Sequence, residues 1–133
     1  MQVFEEKGPE LAEQAVRSAL QQAEVEANSL THLILISCTG MVAPGLELDL
    51  MRRLDIPSSV ERYCIHFMGC YAAFTGLRLA DQLVKANPKS RVLVVSVELC
   101  TLHFQKEYTE DNLLANSLFG DGAAAALVMQ SEK

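Results

Sequence analysis

The sequence predicts an α/β fold of layered helix, sheet and helix with a mostly parallel sheet, and three observations lead to it. Leu33-Ile34-Leu35-Ile36 and Val92-Leu93-Val94-Val95 are unbroken apolar runs, the pattern of strands buried on both faces. Segments with apolar residues at helical spacing precede and separate them. Gly and Pro mark the joins, at Gly8-Pro9, Pro44-Gly45 and Asn87-Pro88. Strands alternating with helices imply crossover connections and parallel pairing.

Taken in order, Gly8 and Pro9 suit the start of a helix, because Pro at the first helical position loses no hydrogen bond. Leu11, Ala12, Ala15, Val16, Ala19, Leu20 and Ala23 continue it, and Asn28-Ser29 breaks it. Residues 33–36 form the first strand, and Leu46, Leu50, Met51 and Leu54 suggest a short helix before Pro57. A second strand is expected from Arg62 to Met68, then a helix from about Cys70 to Ala86 with Ala73, Leu77, Ala80 and Val84 on its apolar face. Val92–Val95 is a third strand. The polar stretch from Gln105 to Asn116 reads as a loop with a helical turn, and Gly120-Asp121-Gly122 as a tight turn into a last strand, Ala123 to Met129.

The 133 residues suffice for one domain with a real core. A net charge of −6 and the absence of Trp provide neither a basic footprint nor stacking residues for nucleic acid. No apolar run is long enough to span a membrane, and no secretory signal opens the chain. The four cysteines lack Cys-x-x-Cys spacing and read as reduced thiols of a cytoplasmic protein.

Cys70 is the candidate nucleophile. It follows Gly69 where a strand gives way to a helix, and unpaired N–H groups with the helix dipole favour a thiolate there. Ala72 and Ala73 leave room for a substrate. A buried cysteine acting as a small hydrophobe is the commoner fate, and local context leaves both readings open. His66 makes a poor base for it, since four strand residues cover roughly 13 Å. His32, at a strand start, reads as structural too. Cys100 and His103, spaced Cys-x-x-His, lack a second pair of zinc ligands, so no metal is assigned. Gly120-x-Gly122 precedes a strand and is no dinucleotide fingerprint.

Three groups of segments carry a family resemblance. They are Thr31-His32-Leu33-Ile34 leading to Pro44-Gly45; Gly69-Cys70-Tyr71-Ala72 with Leu77-Arg78-Leu79-Ala80; and Arg91–Val95 with Glu98, followed by Leu118-Phe119-Gly120-Asp121-Gly122-Ala123-Ala124-Ala125. In this order they resemble the type III polyketide synthases, the chalcone synthase family of the thiolase superfamily. Phe-Gly-Asp-Gly-Ala alone is also similar to β-ketoacyl-ACP synthase III, the alternative condensing enzyme.

The resemblance implies a thiolase-like N-terminal half in which Cys70 takes an acyl group from a starter acyl-CoA. Decarboxylated malonyl-CoA then extends that group, with no cofactor. It implies a homodimer, with Ala43 at the position, often Met, that reaches into the neighbouring subunit's cavity. Cys38, Thr39, Cys100 and His103 match cavity-lining positions, and Phe119 matches the gatekeeper between coenzyme A tunnel and cavity. Phe67-Met68 stands where plant enzymes have Gln-Gln, which points to a bacterial branch with another starter. The family's catalytic histidine and asparagine come from its C-terminal half, and none of His32, His66 or His103 matches that histidine. Residues 1–133 are therefore expected to be a partial domain, truncated at both ends, that self-associates but does not turn over alone. A catalytically dead dimerisation partner is the remaining reading.

Overall fold

A computed structural model describes residues 1–131. The α-helices and strands alternate: α1 (Gln2–Ala23), β1 (His32–Ser37), α2 (Leu46–Arg53), β2 (Glu61–His66), α3 (Ala72–Ala86), β3 (Arg91–Leu99), α4 (Glu110–Leu118) and β4 (Asp121–Met129). Short 3-10 turns occupy Ala27–Ser29 and Cys100–His103. The four strands lie in the order β2-β1-β3-β4. β1 pairs in parallel with both β2 and β3, whereas β4 runs antiparallel to β3.

Two cores explain the unbroken apolar runs. Leu33 and Leu35 of β1, with Leu93, Val95 and Val97 of β3, pack beneath Phe4, Ala12, Val16 and Leu20 of α1 and Leu46, Leu50 and Met51 of α2. Ile34 and Ile36, with Val92 and Val94, face Ala72, Ala80 and Val84 of α3 on the other side. Side chains alternate across a strand, so a strand covered on both faces needs apolar residues at every position.

The structure corrects five details of the expected elements. Helix α1 starts at Gln2, and Pro9 lies inside it. Phe4, 1% exposed, anchors the extra turns against Gly40, so burial of an aromatic ring outweighs the hydrogen bond Pro9 cannot make. β2 stops at His66, and a turn containing Cys70 separates it from α3. On α3 the buried face steps through Ala72, Gly76, Ala80 and Val84, leaving Leu77 exposed and Ala72 in the core. A methyl group at Gly76 would meet Ile36, so this glycine lets α3 lie close on the sheet.

The fourth and fifth lie near the C-terminal end. Residues expected to be a loop with one helical turn form the nine-residue α4, whose N-cap Thr109 accepts the Asn112 N–H at 3.1 Å. β4 begins inside Gly120-Asp121-Gly122, with Asp121 opposite Leu99 and Gly122 opposite Glu98. The expected tight turn is therefore strand, because β3 runs on to Leu99 and offers its edge. Among the described residues no helix is long and apolar enough to cross a membrane.

Candidate functional site

β1, β2 and β3 run in the same direction, and the chain leaves all three at one end of the sheet. In open α/β sheets this carboxyl end is where ligands bind. Here Cys38 and Thr39 follow β1, Gly69 and Cys70 follow β2, and Cys100, Thr101 and His103 follow β3. Together with Ala115, Asn116 and Phe119 from α4 and its exit they line a crevice of about 460 Å³. Six positions expected to form a site, Cys38, Thr39, Cys70, Cys100, His103 and Phe119, thus share one crevice. Ala43 does not line it and stands exposed on the loop between β1 and α2.

Cys70 is exposed, as is Phe119. The turn bearing Cys70 is tied at Gly69. That residue donates its N–H to Cys38 Sγ at 3.2 Å, and its carbonyl accepts from Ala72 N at 3.0 Å. Gly69 has φ +83°, a left-handed conformation that glycine adopts without a Cβ penalty.

Another part of the lining is built on Glu98, near the end of β3. Its carboxylate accepts from Cys38 N at 2.9 Å and 3.1 Å, from Thr39 N at 3.0 Å and from Thr39 Oγ1 at 2.6 Å. Thr39 Oγ1 also accepts from Leu99 N at 2.9 Å. A carboxylate in an apolar strand must be paired, and here the chain leaving β1 supplies the donors. His103 Nε2 donates to the Thr39 carbonyl at 2.7 Å, which fixes the proton on that nitrogen. Thr101 is held by Asp121, which accepts its N–H at 2.9 Å and its hydroxyl at 2.7 Å. Those two bonds draw the Asp121 carboxyl below the usual aspartate range. Burial, then the charges of Glu98 and Asp121, push the Cys100 thiol up, which keeps it protonated and a poor nucleophile.

The other histidines lie outside the crevice lining. His66 Nδ1 faces the Ser37 carbonyl at 3.3 Å. His32 sits at the far end of the sheet, with Nδ1 2.7 Å from Thr31 Oγ1 and its ring stacked on Tyr63. No three His, Cys, Asp or Glu side chains converge to hold a metal ion among the described residues.

Glu98, Ser96, Thr101, Gln105 and Asn116 also line the crevice, beyond the site positions expected from the sequence. Glu98 left a readable signal, a lone acid in the apolar run from Val92 to Leu99. The others left none, since they are ordinary polar residues whose placement depends on the path of the chain after β3.

Comparison with known proteins gives the same frame. Residues 1–131 match the family model of chalcone and stilbene synthases, N-terminal domain. A probable polyketide synthase 1 of Dictyostelium discoideum is 37% identical over 94% of this chain and 4% of its own length. The alpha-pyrone synthesis polyketide synthase-like Pks18 of Mycobacterium tuberculosis is 33% identical over 99% of this chain and 34% of its own. The C-terminal type III polyketide synthase domain of Steely1, a type I/III hybrid from Dictyostelium, superposes with a TM-score of 0.92 at 35% identity, covering 98% of this chain and 36% of that one. This chain thus spans about a third of Pks18 and of the Steely1 domain, and far less of the larger polyketide synthase. The chain belongs to the chalcone and stilbene synthase family, the type III polyketide synthases, and has the thiolase-like fold of their N-terminal domain.

Proposed function

We propose that this chain is the nucleophile-bearing part of a polyketide-forming acyltransferase. The Cys70 thiolate attacks the carbonyl of a starter acyl-CoA, and coenzyme A leaves as its thiolate, which takes up a proton. Malonyl-CoA loses carbon dioxide, and the resulting carbanion attacks the acyl group on Cys70. The new carbon–carbon bond releases the cysteine thiolate and yields a β-ketoacyl-CoA. Phe119 guards the crevice mouth, and Cys38, Thr39, Cys100 and His103 shape the space for the acyl chain. The enzyme works as a homodimer, with Ala43 near the neighbouring subunit's cavity.

The observation that carries this reading is an exposed thiol opening onto a crevice at the carboxyl ends of three parallel strands. Decarboxylation and carbonyl polarisation need donors for the developing negative charge. The family supplies a histidine and an asparagine for this from its C-terminal half. None of the three histidines here, His32, His66 and His103, matches that one, so the chain alone loads an acyl group without turning over.

The test is incubation of the chain with hexanoyl-CoA, followed by intact and peptide mass spectrometry. A hexanoyl adduct on Cys70, absent from Cys70→Ala, is expected; no adduct overturns the reading. With malonyl-CoA added, release of product over many cycles would refute the claim that the chain does not turn over alone.

A further inference from the structure

We propose that Cys38 is a positioning residue for Cys70, holding through its sulfur the peptide turn that presents the reactive thiol to the crevice. The inference rests on the reading of Cys70 as the acyl acceptor. It begins with Gly69, whose backbone has φ +83° although nothing lies within 4 Å of where a Cβ would stand. No side chain packs beside Gly69, and hydrogen bonds hold the residue at each end: Gly69 N–H to Cys38 Sγ at 3.2 Å, and Ala72 N–H to Gly69 O at 3.0 Å. The second belongs to the turn itself. The first, beside the bond from Phe67 N–H to the Ser37 carbonyl at 3.4 Å, ties this turn to the exit of β1, and it is the one nearest Cys70.

Cys38 can act as an anchor because it is itself immobilised. Its N–H is shared between the two Glu98 carboxylate oxygens, at 2.9 Å and 3.1 Å, and its neighbour Thr39 donates to the same group through both N–H and hydroxyl. Glu98 belongs to β3, which pairs with β1 in the middle of the sheet. A rigid path thus runs from the sheet centre through Glu98 and Cys38 to Gly69 and on to the exposed Cys70. Sulfur is a weak acceptor, so the tie orders the turn more than it stabilises the fold. Its worth lies in geometry, because a displacement of about 1 Å at a reacting atom can cost a hundredfold in rate.

The role separates from plain structural support by what Cys38→Ala and Cys38→Ser do in the full chain. Three quantities are measured: amide hydrogen exchange at Gly69, the single-turnover rate of Cys70 acylation by hexanoyl-CoA, and the rate of Cys70 alkylation by iodoacetamide. In Cys38→Ala, Gly69 exchange rises and acylation falls, each by about tenfold, because the turn is no longer held for attack on a bound thioester. Alkylation by the small reagent, which makes no demand on the crevice, stays within about twofold. Cys38→Ser restores an acceptor and recovers both exchange and acylation. Unchanged Gly69 exchange in Cys38→Ala, or a loss of acylation that serine does not recover, overturns the proposal. If the unmodified chain takes no acyl group, the proposed function fails, and Gly69 exchange in the two variants still decides whether Cys38 holds the turn.

Discussion

The Thr39 hydroxyl donates to Glu98 Oε2 at 2.6 Å while accepting the Leu99 N–H at 2.9 Å, so one side chain bridges a carboxylate and the strand that carries it. This joins the exits of β1 and β3 where both line the crevice. Thr39→Val keeps the shape but leaves Glu98 short of a donor and Leu99 N–H short of an acceptor. We expect it to lower stability by about 1–3 kcal/mol, since an unsatisfied buried group costs its full desolvation. Urea unfolding monitored by circular dichroism measures the loss, and a change within error would show that water replaces the hydroxyl.

Gly76 tests the packing of α3. A Cβ there would come within 2.6 Å of Ile36 Cδ1 and 3.4 Å of Val94 Cγ1, so the end of the Ile36 side chain, 2% exposed, must shift to make room. Overpacking costs about 1–3 kcal/mol, against a gain of about 1 kcal/mol when Ala replaces Gly in a helix. Gly76→Ala is therefore expected to lower the melting temperature. An increase would mean that Ile36 repacks freely.

Asp121 sets a pH dependence. Its carboxyl is lowered from 3.8 by the Thr101 N–H and hydroxyl, so the folded form binds its proton less readily than the unfolded chain. The clamp's stabilisation is present above the unfolded value and fades as pH falls through the lower folded one. The Thr101 amide proton resonance is expected to shift with a midpoint below 3.8, and in Thr101→Val the Asp121 midpoint moves up toward that value.

Cys64 tests how burial holds back a thiol. Although Cys64 as a whole is exposed, burial of its sulfur, then the Glu47 carboxylate, push its thiol up to about 11. At pH 8 it should be alkylated roughly a hundredfold more slowly than a cysteine at the ordinary value of 9.0. Glu47→Gln recovers only part of that rate, because burial is the larger cause. Peptide-resolved alkylation kinetics reads both numbers, and full recovery in Glu47→Gln would reverse the order of causes.

Self-association is the last expectation. Tyr71, Phe74 and Leu77, at successive spacings of three on and beside α3, are 59%, 71% and 41% exposed, next to exposed Phe67 and Met68. A run of exposed apolar side chains favours association in water. Sedimentation velocity should find dimers or larger species, and Phe74→Glu should shift them toward monomer.

Much of the fold was written in local pattern. The runs at Leu33–Ile36 and Val92–Val95 dictated a doubly covered sheet, because no other arrangement hides apolar side chains pointing both ways. Tertiary contact overrode local signals where the two competed. Pro9 signals a helix start, yet burial of Phe4 carries the helix back to Gln2. Gly120-Asp121-Gly122 signals a turn, yet the free edge of β3 draws it into strand.

The candidate site divides along the same line. By itself the sequence determined that Cys70 follows a strand and precedes a helix, and through its motifs it determined the family. Only the tertiary structure decided that Glu98, sixty residues from Cys38, binds that residue's N–H, and that Cys38 in turn holds Gly69. Local spacing carries secondary structure because periodicity acts over a few residues. A crevice assembled from the ends of three strands depends on register across the sheet, and that is settled only when both faces are buried at once.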